Sequence, residues 1–419
     1  MEQFLRLTKK LLPQSVFTFF QPAYHFLISI AGALAYRFPS RHIKVIAVTG
    51  TKGKSSTVEI LNSIFEEAGY KTAVLGTVRF KIGEKTERNL FKMTMPGRFF
   101  LQKFLRRAVK AGCSHAIIEM TSEGAKQFRH LFIDLDALVV TNIAKEHIES
   151  HGSFEKYVDA KVSIARQLAR SRKPRRRLII NSDMKNADDF TKVQSLEVVP
   201  YSLKDAVDVR LSNSGAQFTF KGENITSKLP GEFNVYNCLA AATAAASFDI
   251  PSKITKKALE NVERIRGRAE EVREGQNFRV IVDYAHTADS LEAIYKAFPG
   301  RKICVLGATG GGRDKWKRPE MGKVADAYCD AIVLTDDDSY DEDPRTIVEE
   351  IATGILHHTP ETVLDRRLAI KHAFSIAKAG DTVLLTGKGT DPYLMGPNGL
   401  KTPWDDAQIA REELKNLSA

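Results

Sequence analysis

Cysteine is scarce in this sequence: Cys113, Cys238, Cys304 and Cys329 are the 4 examples in 419 residues, and no two form a C-x-x-C pair. That excludes a disulfide-built secreted scaffold and leaves each one reading as a buried apolar thiol in a reducing cytosol. Tandem repeats and low-complexity tracts are also lacking, which excludes solenoid and fibrous architectures. No small-residue cleavage site follows the first apolar stretch, so a secretory signal is not expected. What is present is ordinary globular material, with 43% apolar and 27% charged residues. At roughly 100–200 residues per domain, the length allows two to four packed cores. Lys plus Arg is 62 against 51 for Asp plus Glu, a formal charge of +11 that suits an anionic partner.

The stretch from Leu11 to Tyr36 holds no Asp, Glu, Lys or Arg. A bilayer takes about 20 apolar residues, but Gln21-Pro22 is expected to break this run and leave Ala23–Tyr36 too short to span. It reads as a helix pair docked on the protein or as a shallow membrane anchor, and the broken pattern favours docking.

From Lys44 onward, short β-branched runs alternate with amphipathic segments. Strands are expected at Lys44–Val48, Thr72–Leu75, His115–Glu119, Ala137–Val140 and Leu178–Ile180. Helices are expected at Ser56–Ala68 and around Phe99, Phe100, Phe104 and Leu105, and an Ala-rich helix at Gly231–Ser247. Asp205–Lys228 reads as a hairpin excursion. The basic run Ser171–Arg177 has no interleaved aromatics and reads as a solvated loop, so nucleic-acid binding is not expected. After a charged stretch at Arg264–Glu270 a second series begins, with strands at Arg279–Val282, Lys302–Leu306, Ala331–Thr335 and Thr382–Thr386. Helices at Ser290–Phe298, Pro319–Tyr328, Pro344–His357 and Arg366–Ala379 join them. The fold class is therefore α/β: a central parallel-sheet nucleotide-binding unit at 43–265, a Rossmann-like unit at 266–419, and an apolar helical extension at 1–42.

The strongest local signal is Thr49-Gly50-Thr51-Lys52-Gly53-Lys54-Ser55-Ser56, set between a strand and a helix. Backbone N–H groups at such a helix start cradle phosphates, Lys54 reaches the terminal phosphates and Ser55 offers Mg2+ an oxygen. Position 48 holds Val where the usual pattern has Gly. Polar groups recur at other strand ends, among them Glu119 and Thr141-Asn142-Ile143, with His147, His151 and Lys161 following; the residues alone assign no second metal.

Taken together, several ordered stretches resemble the Mur ligases, ATP-dependent amide-forming enzymes of peptidoglycan synthesis. They are Gly50 to Ser56; Thr141-Asn142-Ile143 with Glu146-His147 and His151-Gly152; Tyr157 with Ala160-Lys161; Gly231 to Asn237; Gly267-Arg268-Ala269-Glu270; Asp283-Tyr284-Ala285-His286-Thr287; Gly310 to Asp314 with Lys317-Arg318-Pro319; and Gly387-Lys388-Gly389. The Asp-Tyr-Ala-His-Thr stretch looks most like the MurE branch, which adds the third amino acid to UDP-MurNAc-L-Ala-D-Glu.

The resemblance implies the following roles. Lys54 binds the β- and γ-phosphates of ATP. Ser55 and Glu119 hold one Mg2+, and His147 holds a second together with a carbamylated Lys161. Asn237, Arg268, Asp283 and His286 contact the nucleotide; Thr94, Thr121, Ser122 and Arg129 hold the UDP-sugar dipeptide. A cytoplasmic monomer is implied. Other expected readings are a folylpolyglutamate or poly-γ-glutamate ligase, and a catalytically silent nucleotide-binding scaffold.

Three departures stand out. Only 42 residues precede Ile43, where MurE relatives carry a sizeable uridine-binding domain, so the carrier is expected to be held differently or to be lipid-linked. The usual Asp-Asn-Pro-Arg reads Asp337-Asp338-Ser339-Tyr340, without the arginine that reads diaminopimelate. Gly387-Lys388-Gly389-Thr390-Asp391 ends on an acid one methylene shorter than usual. An acidic pair at Asp338 and Asp391, beside Gly387, would suit a cationic side chain such as that of L-lysine.

Overall fold

The structure is a computed structural model that describes residues 14–418. Its first unit is built on an eight-stranded sheet of β1 (Lys44–Thr49), β2 (Thr72–Leu75), β3 (Arg79–Ile82), β4 (Lys85–Arg88), β5 (His115–Glu119), β6 (Ala137–Val140), β7 (Arg177–Asn181) and β8 (Glu197–Tyr201), in the order β4-β3-β2-β5-β1-β6-β7-β8. All neighbouring pairs from β2 to β8 are parallel; β3 and β4 add an antiparallel edge. Alternation along β1 sends Ile46 and Val48 to one face and Val45 and Ala47 to the other, and both faces are buried cores. Strand order reverses on either side of β1. The segment leaving its C-terminal end therefore lies at a topological switch point, where open α/β sheets bind ligands.

Helix α1 (Gln14–Ala35) and helix α2 (Lys54–Glu67) flank the start and end of β1. Helix α3 (Arg98–Lys110) and helix α4 (Phe154–Ala169) cover one face of the sheet, through Leu101, Phe104, Leu105, Val158 and Val162. Helix α5 (Glu232–Ser247) lies with α2 on the other, its Ala240, Ala241 and Ala244 allowing close approach. Three antiparallel strands, β9 (Val207–Ser212), β10 (Gly215–Phe220) and β11 (Glu223–Ser227), add Phe218, Phe220 and Ile225 to that core. The expected hairpin is thus one strand short of what forms.

The second unit has a six-stranded sheet of β12 (Glu270–Val272), β13 (Arg279–Val282), β14 (Lys302–Leu306), β15 (Ala331–Leu334), β16 (Glu361–Thr362) and β17 (Thr382–Leu385), ordered β12-β13-β17-β14-β15-β16 and parallel except at β12. Its expected strands and helices form, although the helices starting at Pro344 and Arg366 end at Ala352 and Ser375, short of the expected bounds. Arg366 and Asp406 pair with neither side chain exposed, tying the helix that starts at Arg366 to the C-terminal one (Asp406–Ser418).

Two expectations are corrected. Helix α1 runs through Pro22 without a break. A proline removes one hydrogen bond and bends a helix, and packing beyond it can carry the helix on; here Ser29 and Ala33 are buried against the protein. Among the described residues no helix is long and apolar enough to cross a membrane. The cysteines are not four free thiols: Cys304 and Cys329 form a disulfide with Cα atoms 6.0 Å apart, and Cys113 and Cys238 are free and buried. Cys304 lies in β14 and Cys329 just before β15, so a βαβ crossover joins them across 25 residues.

His115 and His130 lie deep in the first unit. Burial, with Lys44 beside the first and Arg170 beside the second, pushes both down to about 4. The unfolded chain therefore takes up protons that the folded one refuses. Stability should hold above pH 6.5 and fall between 6.5 and 4, by about 1.4 kcal/mol per pH unit for each histidine at most. Denaturant titrations across that range check this, and His130→Gln should flatten the slope.

Candidate functional site

The turn after β1 is shaped by two close approaches. Gly50 has φ 146°, and a Cβ there would stand 1.9 Å from Thr141 Oγ1; at Gly53 (φ 80°) it would stand 2.3 Å from Asn237 Oδ1. Only glycine satisfies both steric demands. The loop is fixed from outside by Thr51 N donating to Asn142 O (2.8 Å), Lys52 N to Asn142 Oδ1 (2.9 Å), and the Thr51 and Tyr157 hydroxyls meeting at 2.7 Å. Thr49 Oγ1 anchors the base of the turn on Met120 O at 2.9 Å. Helix α2 then starts at Lys54 with no acid in its first turn and no side-chain cap, so its free N–H groups face an adjoining cavity of about 460 Å³ between the two units.

Cations crowd this loop. Lys54 Nζ folds back onto the carbonyls of Gly50 (3.0 Å) and Thr51 (2.9 Å), and Lys161 Nζ donates to Gly50 O at 2.7 Å. Burial pushes Lys54 down against the pull of Glu119 and Glu146; burial and the neighbouring Lys54 push Lys161 well down. Ser55 Oγ lies 3.1–3.2 Å from both carboxylate oxygens of Glu119, which also accept from Thr77 N and Oγ1. Arg268 arrives from the second unit, 3.2 Å from Ser55 Oγ and stacked over Tyr284. Glu146 is buried between Lys52 Nζ (3.0 Å) and His286 Nε2 (2.9 Å); these partners outweigh burial and hold its carboxyl well below the usual range.

Of the residues expected to bind nucleotide, Thr51, Lys52, Gly53, Lys54, Ser55, Ser56, Asn237, Arg268, Asp283 and His286 line the cavity. Asp283 accepts from the N–H groups of Ala269 and Ala285 at 2.7 Å each, fixing the backbone on either side of it within the second unit. Glu119 and His147 line it too, and Lys161 stands directly behind Gly50. The Ser55 hydroxyl and the Glu119 carboxylate fit a hard cation such as Mg2+, and His147 opens onto the same space. Lys161 fits the expected set only as a modified, anionic group, since its ammonium would repel a cation.

The residues expected to hold the sugar peptide divide. Thr94 and Thr121 line the cavity; Ser122 and Arg129 do not. Asp338, Asp391 and Gly387 are not in this cavity at all. The acidic pair is already matched: Lys388 reaches Asp338 (2.8 Å) and Asp391 (3.6 Å) with no exposure of its own, and Lys92 from the first unit pairs with Asp338 and lies 3.6 Å from Asp391. The expected acidic pair is thus held by two internal lysines rather than standing free for a substrate side chain. Residues not assigned from the sequence include Thr77, Asn181 and Tyr201 at strand ends, and Phe233 and Ile294 on helices, the last two giving the cavity an apolar flank. Phe233 lies within the Gly231–Asn237 stretch without an expected role there; the others carry no motif of their own.

The Mur ligase middle domain profile matches residues 48–245, and that of the Mur ligase glutamate ligase domain matches 267–389. A UDP-N-acetylmuramyl-tripeptide synthetase of Roseiflexus sp. (strain RS-1) is 36% identical over 414 residues, covering 92% of this chain and 81% of that protein. The chain belongs to the Mur ligase family. A UDP-N-acetylmuramoyl-L-alanyl-D-glutamate--2,6-diaminopimelate ligase of Oceanobacillus iheyensis is 36% identical to this Mur ligase over 399 residues, covering 91% and 80% of the two chains. A solved structure of such a diaminopimelate ligase superposes with TM-score 0.61 at 29% identity, over 90% of this chain and 79% of the other.

A charge-assisted contact contributes about 1.5–3 kcal/mol. Lys54→Met should therefore weaken ADP binding roughly 10- to 150-fold by calorimetric titration, with the circular dichroism spectrum preserved; unchanged affinity would exclude Lys54 from the phosphate site.

Proposed function

We propose that this Mur ligase spends ATP to join an amino acid, as third residue, to UDP-MurNAc-L-Ala-D-Glu. The observation that carries this reading is the convergence of Lys52, Lys54, Lys161 and Arg268 on one glycine-rich turn, facing a cavity closed by both units. Such a site rewards a polyphosphate and supports transfer of its terminal phosphoryl group.

The chemistry follows from charge. The acceptor carboxylate and the γ-phosphate repel each other, and Lys54 with Arg268 offsets that repulsion along the line of attack. Oxygen attack on phosphorus releases ADP and leaves an acyl phosphate. A neutral amine then adds to the carbonyl carbon, and the tetrahedral intermediate expels inorganic phosphate. Mg2+, held by Ser55, Glu119, His147 and a carbamylated Lys161, supplies further charge neutralisation when bound. The depressed pKa of Lys161 supports the modification, because CO2 adds to a neutral amine. The apolar flank of Phe233 and Ile294, next to Asn237, suits a purine base. Contacts between the units, Lys92 with Asp338 and Arg88 with Asp405 (3.2 Å), would hold the closed form that keeps water from the acyl phosphate.

For the incoming residue we favour a diamino acid with a cationic side chain, L-lysine. Tyr340 stands where the family resemblance puts a carboxylate-reading arginine, which disfavours diaminopimelate; Asp338 and Asp391 are held by Lys388 and Lys92, so a substrate ammonium would have to take the place of Lys92. The same reading places the enzyme in the cytoplasm as a monomer, with the exposed Phe26, Leu27 and Leu34 of α1 resting against a membrane surface. Phosphate release with UDP-MurNAc-dipeptide, ATP and lysine, ornithine or diaminopimelate tests the specificity: lysine should be turned over at least tenfold faster than diaminopimelate. The reverse preference contradicts it.

A further inference from the structure

Helix α1 does more than cover apolar surface. It crosses the start of α3, where Gly32 packs on Phe99, and a Ser29 hydroxyl donates to Phe128 O at 2.8 Å. One turn before Ser29 stands His25, and neither of its ring nitrogens has a hydrogen-bond partner. Beside it are two guanidinium groups. Arg98 donates through Nε (2.9 Å) and Nη2 to Gln127 O; Arg129 donates through Nη2 to Gln127 Oε1 at 2.7 Å and through Nη1 to Met95 O. Arg129 Nε is buried without a partner. Among the described residues, no carboxylate stands within ion-pair distance of His25, Arg98 or Arg129, whereas most other partly buried arginines here have one.

Like charge is therefore concentrated without internal compensation. Burial, with Arg98 and Arg129 adding to it, pushes His25 down to about 4; burial and Arg129 push Arg98 down to about 10. The groups facing the cluster are Tyr24 on α1 and Glu123 below Arg129, and neither pairs with it directly. Helix α3 adds to the field, since it begins at Arg98 with no acidic residue in its first turn and no side-chain cap. The cluster adjoins the cavity. Arg129 holds the carbonyl of Met95, whose sulfur lies 3.4 Å from Thr121 N, and Thr94 and Thr121 are on the cavity rim.

We propose that His25, Arg98 and Arg129 form an anion site at the junction of α1 and α3 that takes the diphosphate of the sugar carrier. This rests on the reading of the acceptor as a muramyl peptide, and it gives α1 a part in substrate binding. A diphosphate presents several acceptor oxygens and two or more negative charges, which suits two forked donors and an imidazole that gains a proton beside it. Diphosphate joins a sugar either to a nucleotide or to a polyprenyl lipid. The exposed Leu27 and Leu34 on the same helix make the second source worth an arm of the test.

The direct probe is inorganic diphosphate, titrated calorimetrically into the whole chain with the glycine-rich turn already filled by ADP. Arg98→Ala should weaken binding at least tenfold, His25→Ala about threefold, and Arg98→Lys less than threefold, each with an unchanged circular dichroism spectrum. Equal affinity in the wild type and Arg98→Ala overturns the proposal. Two further arms separate the sources. A tenfold rise in KM for UDP-MurNAc-dipeptide in Arg98→Ala, with kcat and KM for ATP within twofold, assigns a nucleotide carrier. Loss of binding to vesicles bearing a polyprenyl diphosphate, with that KM unmoved, assigns a lipid one. Neither effect overturns the site. Arg98-dependent diphosphate binding in a protein that makes no muramyl tripeptide would leave this site standing and sink the functional reading instead.

Discussion

The molecule is organised around an electrostatic constraint: several cations are gathered where one backbone turn leaves no room for side chains. Gly50 and Gly53 let Thr141 and Asn237 press against the turn, and that proximity brings Lys54, Lys161 and Arg268 within reach of the same carbonyls and hydroxyl. Like charges held this close are unfavourable unless something offsets them. Glu119 and Glu146 do so in part, and a bound polyphosphate completes the compensation. The fold's main device is thus an unfinished charge balance that a nucleotide can finish.

The second unit supplies what the turn alone lacks. Arg268 and His286 reach across to Ser55 and Glu146, and Asp314 receives the His147 N–H at 3.1 Å. Each contact ties the two units through a residue that also faces the cavity or its ligands, so closure and assembly of the site are a single event. Lys92 and Arg88 act at the far edge of the same junction: Lys92 joins Lys388 on the acidic pair Asp338 and Asp391, and Arg88 pairs with Asp405.

What was legible in the sequence follows from how local each signal is. The glycine-rich turn and its flanking strand and helix are contiguous, and the hydrophobic alternation of β1 gives away a strand buried on both faces. Glu119 stood out as a polar group ending a buried strand; the roles of His147, Lys161, Arg268 and Asp283 came from ordered family motifs, since nothing in their immediate neighbours marks them as ligands. Thr77, Asn181 and Tyr201 were missed because strand order, which spacing does not reveal, brings them together. Cys304 and Cys329 were read as separate thiols for the same reason. The acidic pair at Asp338 and Asp391 was expected to meet a substrate side chain; it meets Lys388 and Lys92 instead, and Lys92 lies 246 positions from Asp338. Pro22 was given too much weight, because helix packing outweighed one lost hydrogen bond.

The central claim is that an acceptor carboxylate oxygen leaves on phosphate. The most direct measurement supplies UDP-MurNAc-dipeptide labelled with 18O in its terminal carboxylate, together with ATP and the amino acid, and analyses the released phosphate by mass spectrometry. Transfer of one labelled oxygen to phosphate for each amide formed is the predicted result. Unlabelled phosphate alongside amide product would contradict the acyl-phosphate route and the account built on it.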